Sequence, residues 1–290
     1  TGAVSAIGGA LTLATGAGDV TINNTTNNIG TVNVTSGANV SLYNSAALTV
    51  AGINATGLVD VRTQTGNLML TTAAIATTST SPNAVTLVAD VASVPNSTGS
   101  GGNFINTGNV AITTGAGGAW RIYTGNPAGT VRGGLVETAK SYNVDDASDP
   151  LASGNRIYFR IQPTLTITTV STSKVYNSTG ADPALTYTLG GLIDGDTTVS
   201  TPPTLSRVAG KDVGVYAISA TGAASSIGYA ISYANTGLLS ITPASLAVTG
   251  AVAANKVYDT TTAVSLSGAT ITPLGTDAVT LVAGTGVFAD

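Results

Sequence analysis

Residues 32–70 read VNVTSGANVSLYNSAALTVAGINATGLVDVRTQTGNLML. Apolar–polar–apolar triplets recur through them: Val32-Asn-Val, Val40-Ser-Leu, Leu48-Thr-Val, Val59-Asp-Val and Leu68-Met-Leu. Alternation of period two marks strands with one buried face. Every second triplet returns after 19 or 20 residues, from Val40 to Val59 and from Leu48 to Leu68. Antiparallel hairpins would give the same alternation but have no reason to keep a two-triplet period. A parallel β-helix does, because each coil hydrogen-bonds onto the last at ~4.8 Å per coil.

Upstream, Leu11-Thr-Leu and Val20-Thr-Ile fit the same period, with turn clusters such as Gly16-Ala-Gly-Asp and Asn23-Asn-Thr-Thr-Asn-Asn between the strands. Stacked coils set like residues over like, which suits Asn and Thr ladders. Residues 1–118 therefore read as a β-helical rod of five or six coils, roughly 25–30 Å long at that spacing. Residues 76–108 break the rhythm with two loop-like runs around one strand at Val85-Thr-Leu-Val. They read as a polar excursion from a coil, with a ligand-binding loop as the sharper alternative. Val110-Ala-Ile is the last clear coil triplet.

At Trp120 the composition changes. The first 118 residues hold two of the fourteen aromatics and four of the 24 charges. Trp120-Arg-Ile-Tyr, Tyr142 and Ile157-Tyr-Phe-Arg supply bulk where an open coil end would need covering, so residues 119–162 read as a cap and connector. Trp120 or Tyr123 could stack on a sugar, but burial in the cap is the simpler role. Asp145, Asp146 and Asp149 could bind calcium, yet their spacing matches no defined loop and a solvated turn is expected.

A repeat follows. Ile161-Gln-Pro163 and Lys174-Val-Tyr176 return as Ile241-Thr-Pro243 and Lys256-Val-Tyr258, and Asp196-Thr-Thr-Val is echoed by Asp277-Ala-Val. Matches that hold their offset mark a repeated domain. Residues 163–243 read as a compact β module with strands at 164–170, 184–188, 214–220, 229–233 and 238–241. Asp194-Gly-Asp196 is expected to be a turn, since no calcium-ligand series continues from it. Residues 244–290 read as the start of a second module that stops part-way. Proline at each junction ends ladder pairing.

Composition narrows the function. Charged residues are 8% of the 290 and apolar ones 43%, so an all-β protein with a surface of hydroxyls and amides is expected rather than disorder. Net charge is −4 with no basic patch, which leaves no nucleic-acid footprint. Cys and His are absent, which removes disulfides, thiolate metal sites and the usual general base. No run approaches the ~18 apolar residues of a membrane span, and the first residues lack the basic start of a signal peptide. Without an initiator Met, the chain reads as a matured or excised piece of something longer.

The segment KVYNSTGADPALTYTLGGLIDGDTTVSTPPTLSRVAGKDVGVYAISATG, with GYAISYANTGLLSITP, resembles the mostly-β-grasp (MBG) domain of large bacterial surface exoproteins. KVYDTTTAVSLSGATI resembles the opening of a YDG domain, with Thr260 where glycine usually follows Tyr-Asp. GAWRIYTGNPAGTVRGGL is similar to the segment joining β-helix to such modules in filamentous-haemagglutinin-like proteins. The resemblance implies an all-β chain: a right-handed parallel β-helix followed by β-grasp-like or β-sandwich-like modules. It also implies two-partner secretion through an outer-membrane β-barrel, an extracellular or cell-surface location, and no catalytic residues or cofactors to carry over.

The expected function is a structural stalk of a surface adhesin, fibre or biofilm matrix, with self-association a variant. Its partners would be the rest of a long chain, the secretion barrel and an unidentified host or glycan surface. A stalk of a toxin-delivery exoprotein would look the same over this length. A β-helical polysaccharide enzyme needs paired carboxylates. Before residue 119 only Asp19, Asp60 and Asp90 are acidic, and Asp60 with Arg62 reads as a surface ion pair.

Overall fold

A computed structural model describes residues 2–149, 152–179, 181–282 and 284–289. The chain is all-β, with one short 3-10 turn at Pro127–Gly129 and, among the described residues, no helix long and apolar enough to cross a membrane. Cα packing divides it into two compact units. One comprises Thr1–Thr166, Leu189–Pro202 and Ala223–Ser232, the other Ile167–Thr188, Pro203–Gly222 and Tyr233–Asp290.

The first unit is built on a stack of parallel coils. One sheet contains β1 (Ser5–Ala14), β3 (Asn28–Ser36), β5 (Leu48–Ala55), β7 (Leu68–Leu70), β8 (Ile75–Thr77), β10 (Phe104–Asn106) and β11 (Ile112–Thr113). The other contains β2 (Val20–Ile22), β4 (Val40–Asn44), β6 (Val59–Thr63), β9 (Val85–Val88), β12 (Trp120–Thr124), β13 (Ala139–Tyr142) and β14 (Arg156–Phe159). Odd and even early strands alternate between the sheets, as the two-triplet period requires.

Register explains why the period is kept. Val20 pairs with Val40, Val40 with Val59, Val59 with Val85 and Val85 with Trp120. The row two residues on is Ile22, Leu42, Val61, Leu87, Ile122 and Ile157. Both rows point inward: Val40, Val59, Val61, Leu87 and Ile122 are buried. Like side chains over like let each coil template the next, and shifting register by one residue would expose a whole row.

Polar corners are closed from inside. Asn44 accepts from the Ile29 N–H at 2.8 Å and donates to the Ile29 and Ala46 carbonyls at 3.1 and 2.9 Å. Asn27 and Asn106 do the same at other corners, accepting from the Val4 and Val110 N–H groups at 2.8 Å each. A buried backbone group left unpaired costs about 1–3 kcal/mol, so each Asn removes such a penalty where the ladder bends. The longest ladders are thus of inward aliphatics, with Asn27, Asn44 and Asn106 serving the corners.

Three features differ from the sequence reading. The excursion at 76–108 contains two rungs beside Val85–Val88: β8, and Phe104–Asn106 in register with Leu68–Leu70. The chain returns there so closely that a Cβ on Gly102 would lie 1.9 Å from the Gly66 carbonyl oxygen, so glycine is required. Val110-Ala-Ile is not the end of the stack, and residues 119–162 are not a separate cap. β12 pairs in parallel with β9, and β14 with β12, so the same ladder runs on past residue 118. β14 also lies between β12 and β13, against chain order.

Cover for the inner row comes from downstream. Leu189, Leu192, Ile193, Ile227 and Ile231 pack with buried Val199 and Tyr229 on the core that includes Tyr142, Ile157 and Phe159. The outer edge of β13 is met by the Ile227 carbonyl, which accepts from the Tyr142 N–H at 2.6 Å. Ladder pairing reaches Gln162, whose N–H donates to the Asn96 carbonyl at 2.7 Å, and breaks at Pro163, which has no N–H.

In the second unit, Leu238–Thr242 pairs in parallel with Thr172–Val175 and antiparallel with Gly214–Thr221, which pairs in turn with Thr204–Arg207. Ile218, Leu239 and Ile241 form its small core, with Tyr176, Leu185 and Tyr216 against them. The expected strand at 184–188 forms instead at Tyr187–Gly190, and those at Thr172–Val175 and Thr204–Arg207 add to the sequence reading. Beyond residue 243, Val248–Thr249 pairs with Thr270–Ile271, and Ala263–Ser267 pairs with both Val252–Ala253 and Thr285–Val287, all antiparallel.

Candidate functional site

The outward rows of the second sheet change character along the stack. One runs Thr21, Ser41, Asp60, Thr86, Arg121, Arg156, the other Tyr43, Arg62, Val88, Tyr123, Tyr158. In the first row Thr21 and Ser41 are small and polar and give way to Asp60, Arg121 and Arg156. In the second, Tyr43 and Arg62 already bring bulk and charge, and Arg62, Arg121 and Tyr123 are met by Asp146 and Asp149. Tyr123 stacks on Tyr158 with ring centres 5.0 Å apart, and Val144 packs on the pair.

Arg121 is buried with Asp149: its guanidinium donates to Asp149 Oδ2 and to the Tyr158 hydroxyl, both at 3.0 Å, and to the Ala152 carbonyl at 2.6 Å. The Tyr123 hydroxyl donates to the same carboxylate. Burial first, and then the Asp149 charge, pushes Tyr158 up to about 12 and raises Tyr123 as well. The three aspartates of this loop therefore separate. Asp149 serves Arg121, Asp146 binds Arg62, and Asp145 closes its own turn, accepting from the Ser148 hydroxyl at 2.7 Å. Each is committed to a partner other than a cation from solvent, and the solvated turn expected at Asp149 is a buried ion pair.

Asp194-Gly-Asp196 gathers the densest set of charges. Asp194 takes the left-handed backbone at φ 55° and Gly195 follows at 78°, so the turn presents both carboxylates together. Asp194 receives Arg132 through two nitrogens, at 3.1 and 2.6 Å, and Lys140 Nζ at 2.9 Å. Asp196 Oδ1 lies 3.1 Å from Lys140, while its Oδ2 accepts from the Tyr142 and Tyr229 hydroxyls at 2.8 and 2.9 Å. Tyr142 stacks on Phe159 and meets Tyr229 edge-on, and Arg132 lies over the Phe159 ring. Burial would raise the Asp194 carboxyl, but the hydrogen bonds from Arg132 and Lys140 outweigh it and hold the group below its ordinary value. Burial first, and then the Asp196 carboxylate, raises Tyr142. The arrangement is a lock between backbone segments: its acids face cations and phenols.

The other candidates are also engaged. Asp60 pairs with Arg62 at 2.8 Å, as the sequence implied. Asp19 accepts from the Asn39 N–H and side-chain amide at 3.0 Å each. Asp90 accepts from the Gly102 N–H at 2.7 Å, and Arg160 donates to the Ala89 and Gly102 carbonyls at 2.7 and 2.6 Å, so the loop at 90–102 within the excursion is fastened at both ends. Burial depresses the Arg160 pKa, with the Asp90 charge opposing. Trp120 lies in the core and Tyr123 is buried under the loop, so neither offers a face to a sugar. Among the described residues no three His, Cys, Asp or Glu side chains gather as a possible metal site.

Of the partners of these carboxylates the sequence marks only Tyr142, and as cap bulk rather than as a hydrogen-bond donor; Arg132, Lys140 and Tyr229 carry no such mark. They lie 33 to 62 residues from the carboxylates they hold. A signal exists for Lys140 and Tyr142 alone: Lys140-Ser-Tyr-Asn repeats the pattern of Lys174-Val-Tyr-Asn.

Fold and contacts together define an all-β chain with a stack of parallel coils in its first unit and small mixed or antiparallel sheets in its second. Residues 165–240 match the family model of the MBG domain (YGX type), and residues 242–290 match that of the YDG domain. The chain is thus similar to both domain families, one directly after the other, as in a repeat-containing protein. No curated protein and no solved structure matches it.

Proposed function

We propose that this chain is a structural length of a large secreted bacterial surface adhesin or fibre, of the filamentous-haemagglutinin-like kind. The observation that supports this most is the succession itself: a parallel coil stack, then a match to the MBG model, then a match to the YDG model. In this reading the chain leaves the cell by two-partner secretion through an outer-membrane β-barrel and works at the cell surface or in a biofilm matrix. Its task is mechanical and non-catalytic, holding other parts of a long protein away from the cell toward a host, neighbouring-cell or glycan surface.

Low charge and freedom from cysteine suit a chain that passes a pore unfolded and folds outside. The inward valine rows then let each coil order the next without disulfides. Among the described residues the outer edge of β1 has no strand partner, and it offers backbone pairing to another coil.

Antibodies raised against the purified chain test the location. Labelling of intact, unpermeabilised producing bacteria, lost when those cells are shaved with protease, is expected. Labelling that needs permeabilised cells would sink the proposal.

A further inference from the structure

We propose that the exposed Lys256-Val-Tyr258 surface is a seat for the aspartate turn of a further module of the same repeat. It stands apart from the adhesin reading, since it rests on contacts made twice within this chain.

The pattern Lys-x-Tyr-Asn/Asp occurs three times: Lys140-Ser-Tyr142-Asn, Lys174-Val-Tyr176-Asn and Lys256-Val-Tyr258-Asp. The first tyrosine donates to Asp196 at 2.8 Å, and the second donates to Asp277 at 3.0 Å. Each aspartate ends a hydrogen-bonded four-residue turn, with both inner residues left-handed in the first and only Gly275 in the second. The Asp196 N–H returns to the Ile193 carbonyl at 3.1 Å, and the Asp277 N–H to the Leu274 carbonyl at 3.1 Å. The first inner residue of each turn is left-handed, φ 55° at Asp194 and 58° at Gly275. In both cases a tyrosine of one block holds the aspartate turn of the next.

The lysines do not behave alike: Lys140 joins the turn, whereas Lys174 binds Asp182 and Lys256 binds Asp259. The phenol is therefore the shared element.

The third tyrosine is left over. Tyr258 is 87% exposed and Val257 89%, against a half-buried Tyr176. Tyr258 donates no hydrogen bond to any described residue, and it lies in a shallow hollow with Thr261, Thr262, Phe288 and Ala289. Both aspartate turns of the chain are already held, so a second copy has no free turn to bring. The occupant is an additional module bearing its own turn.

The test uses the full chain and a version extended by a second copy of residues 163–290. In that copy Tyr258→Phe leaves the resident Tyr258 peptide unique. Both are treated with tetranitromethane, which nitrates accessible phenols, and followed by peptide mass spectrometry. Extension is expected to slow nitration of the resident Tyr258 about tenfold, the factor that about 1.4 kcal/mol of seating gives. D196N in the appended copy is expected to restore the rate.

Protection of the copy's Tyr176 by its own Asp277 reports that the copy has folded. An unchanged Tyr258 rate with that Tyr176 protected overturns the proposal, as does protection that survives D196N. A copy that stays unfolded in both a directly joined and a Gly/Ser-linked fusion overturns it as well, because a seat on Tyr258 should order the copy's turn.

Discussion

The early coils and the block that follows residue 119 use the same inward rows and treat polar groups in opposite ways. From Val20 to Val61 the outward row is Thr21, Ser41 and Asp60, and corners are closed by neutral Asn27 and Asn44. From Trp120 onward the same outward position holds Arg121 and Arg156, under a loop that carries Asp149. Where coil stacks on coil, backbone and amides meet most polar groups, and the exception, Arg62 beside Asp60, reaches Asp146 of the later loop. A coil that must accept chemically different chain segments needs charges, whose geometry selects one segment and not another.

The comparison breaks most visibly at Arg121. Replacing it with alanine leaves the buried Asp149 carboxylate without its cation, with the Tyr123 hydroxyl still donating to it, and is expected to cost about 3–5 kcal/mol. Urea unfolding followed through the fluorescence of neighbouring Trp120, the sole tryptophan, reads this directly. Arg121→Met combined with Asp149→Leu should recover more than half of the loss, since removing both charges removes the desolvation problem. If alanine alone costs under about 1 kcal/mol, the pair behaves as an exposed one and the contrast with the early coils fails.

Within the early coils the corresponding change is Asn44→Ala. It strands the Ile29 N–H and the carbonyls that Asn44 serves, and about 2 kcal/mol is expected from the same measurement. Thr21→Ala, on the exposed outward row, should stay within about 0.5 kcal/mol. Equal effects at the two positions would mean that the corners are not closed by the amide.

Legibility in the sequence divides at the same place. Val40-Ser-Leu and Val59-Asp-Val announce their strands because inward and outward residues differ in kind and the offset is kept. At β12 the sequence Trp120-Arg-Ile-Tyr has an outward Arg and Tyr that are themselves buried, so alternation no longer separates core from surface. Phe104–Asn106 is hidden by the polar run before it, since one buried Phe does not make a period. Asp194-Gly-Asp196 was readable as a turn, because its backbone chemistry is local. Its partners were not, because Arg132 and Lys140 meet it only through the tertiary fold.

The smallest expected difference is in pH response. Asp194 titrates below its unfolded value of about 3.9, so the stability it adds is complete above about pH 4 and is lost as pH falls through the folded value. Tyr142 titrates above its unfolded value of about 10, so its share is complete below that pH and is lost as pH rises toward the folded value. Asp60 has the opposite sign to Asp194: burial outweighs Arg62 and raises it, so acid does not loosen the coil through that group. Hydrogen exchange read by mass spectrometry should therefore show residues 193–196 opening several-fold faster at pH 3 than at pH 6, relative to residues 40–61. Equal acceleration in both segments would contradict the assignment.

The strand order at the end of the stack carries a kinetic consequence. Up to β12, a coil can be laid down as soon as its own residues are available. β14 sits between β12 and β13, so Ala139–Tyr142 has no rung to pair with until Arg156–Phe159 has taken its slot. Val131 still adds a rung on Ile105, and coil-by-coil growth therefore pauses only after it; the two strands beyond arrive together, with the loop between them closing over Arg121 in the same event. The early coils can zip progressively, whereas this end snaps shut as one cooperative step whose barrier includes the closure entropy of that loop.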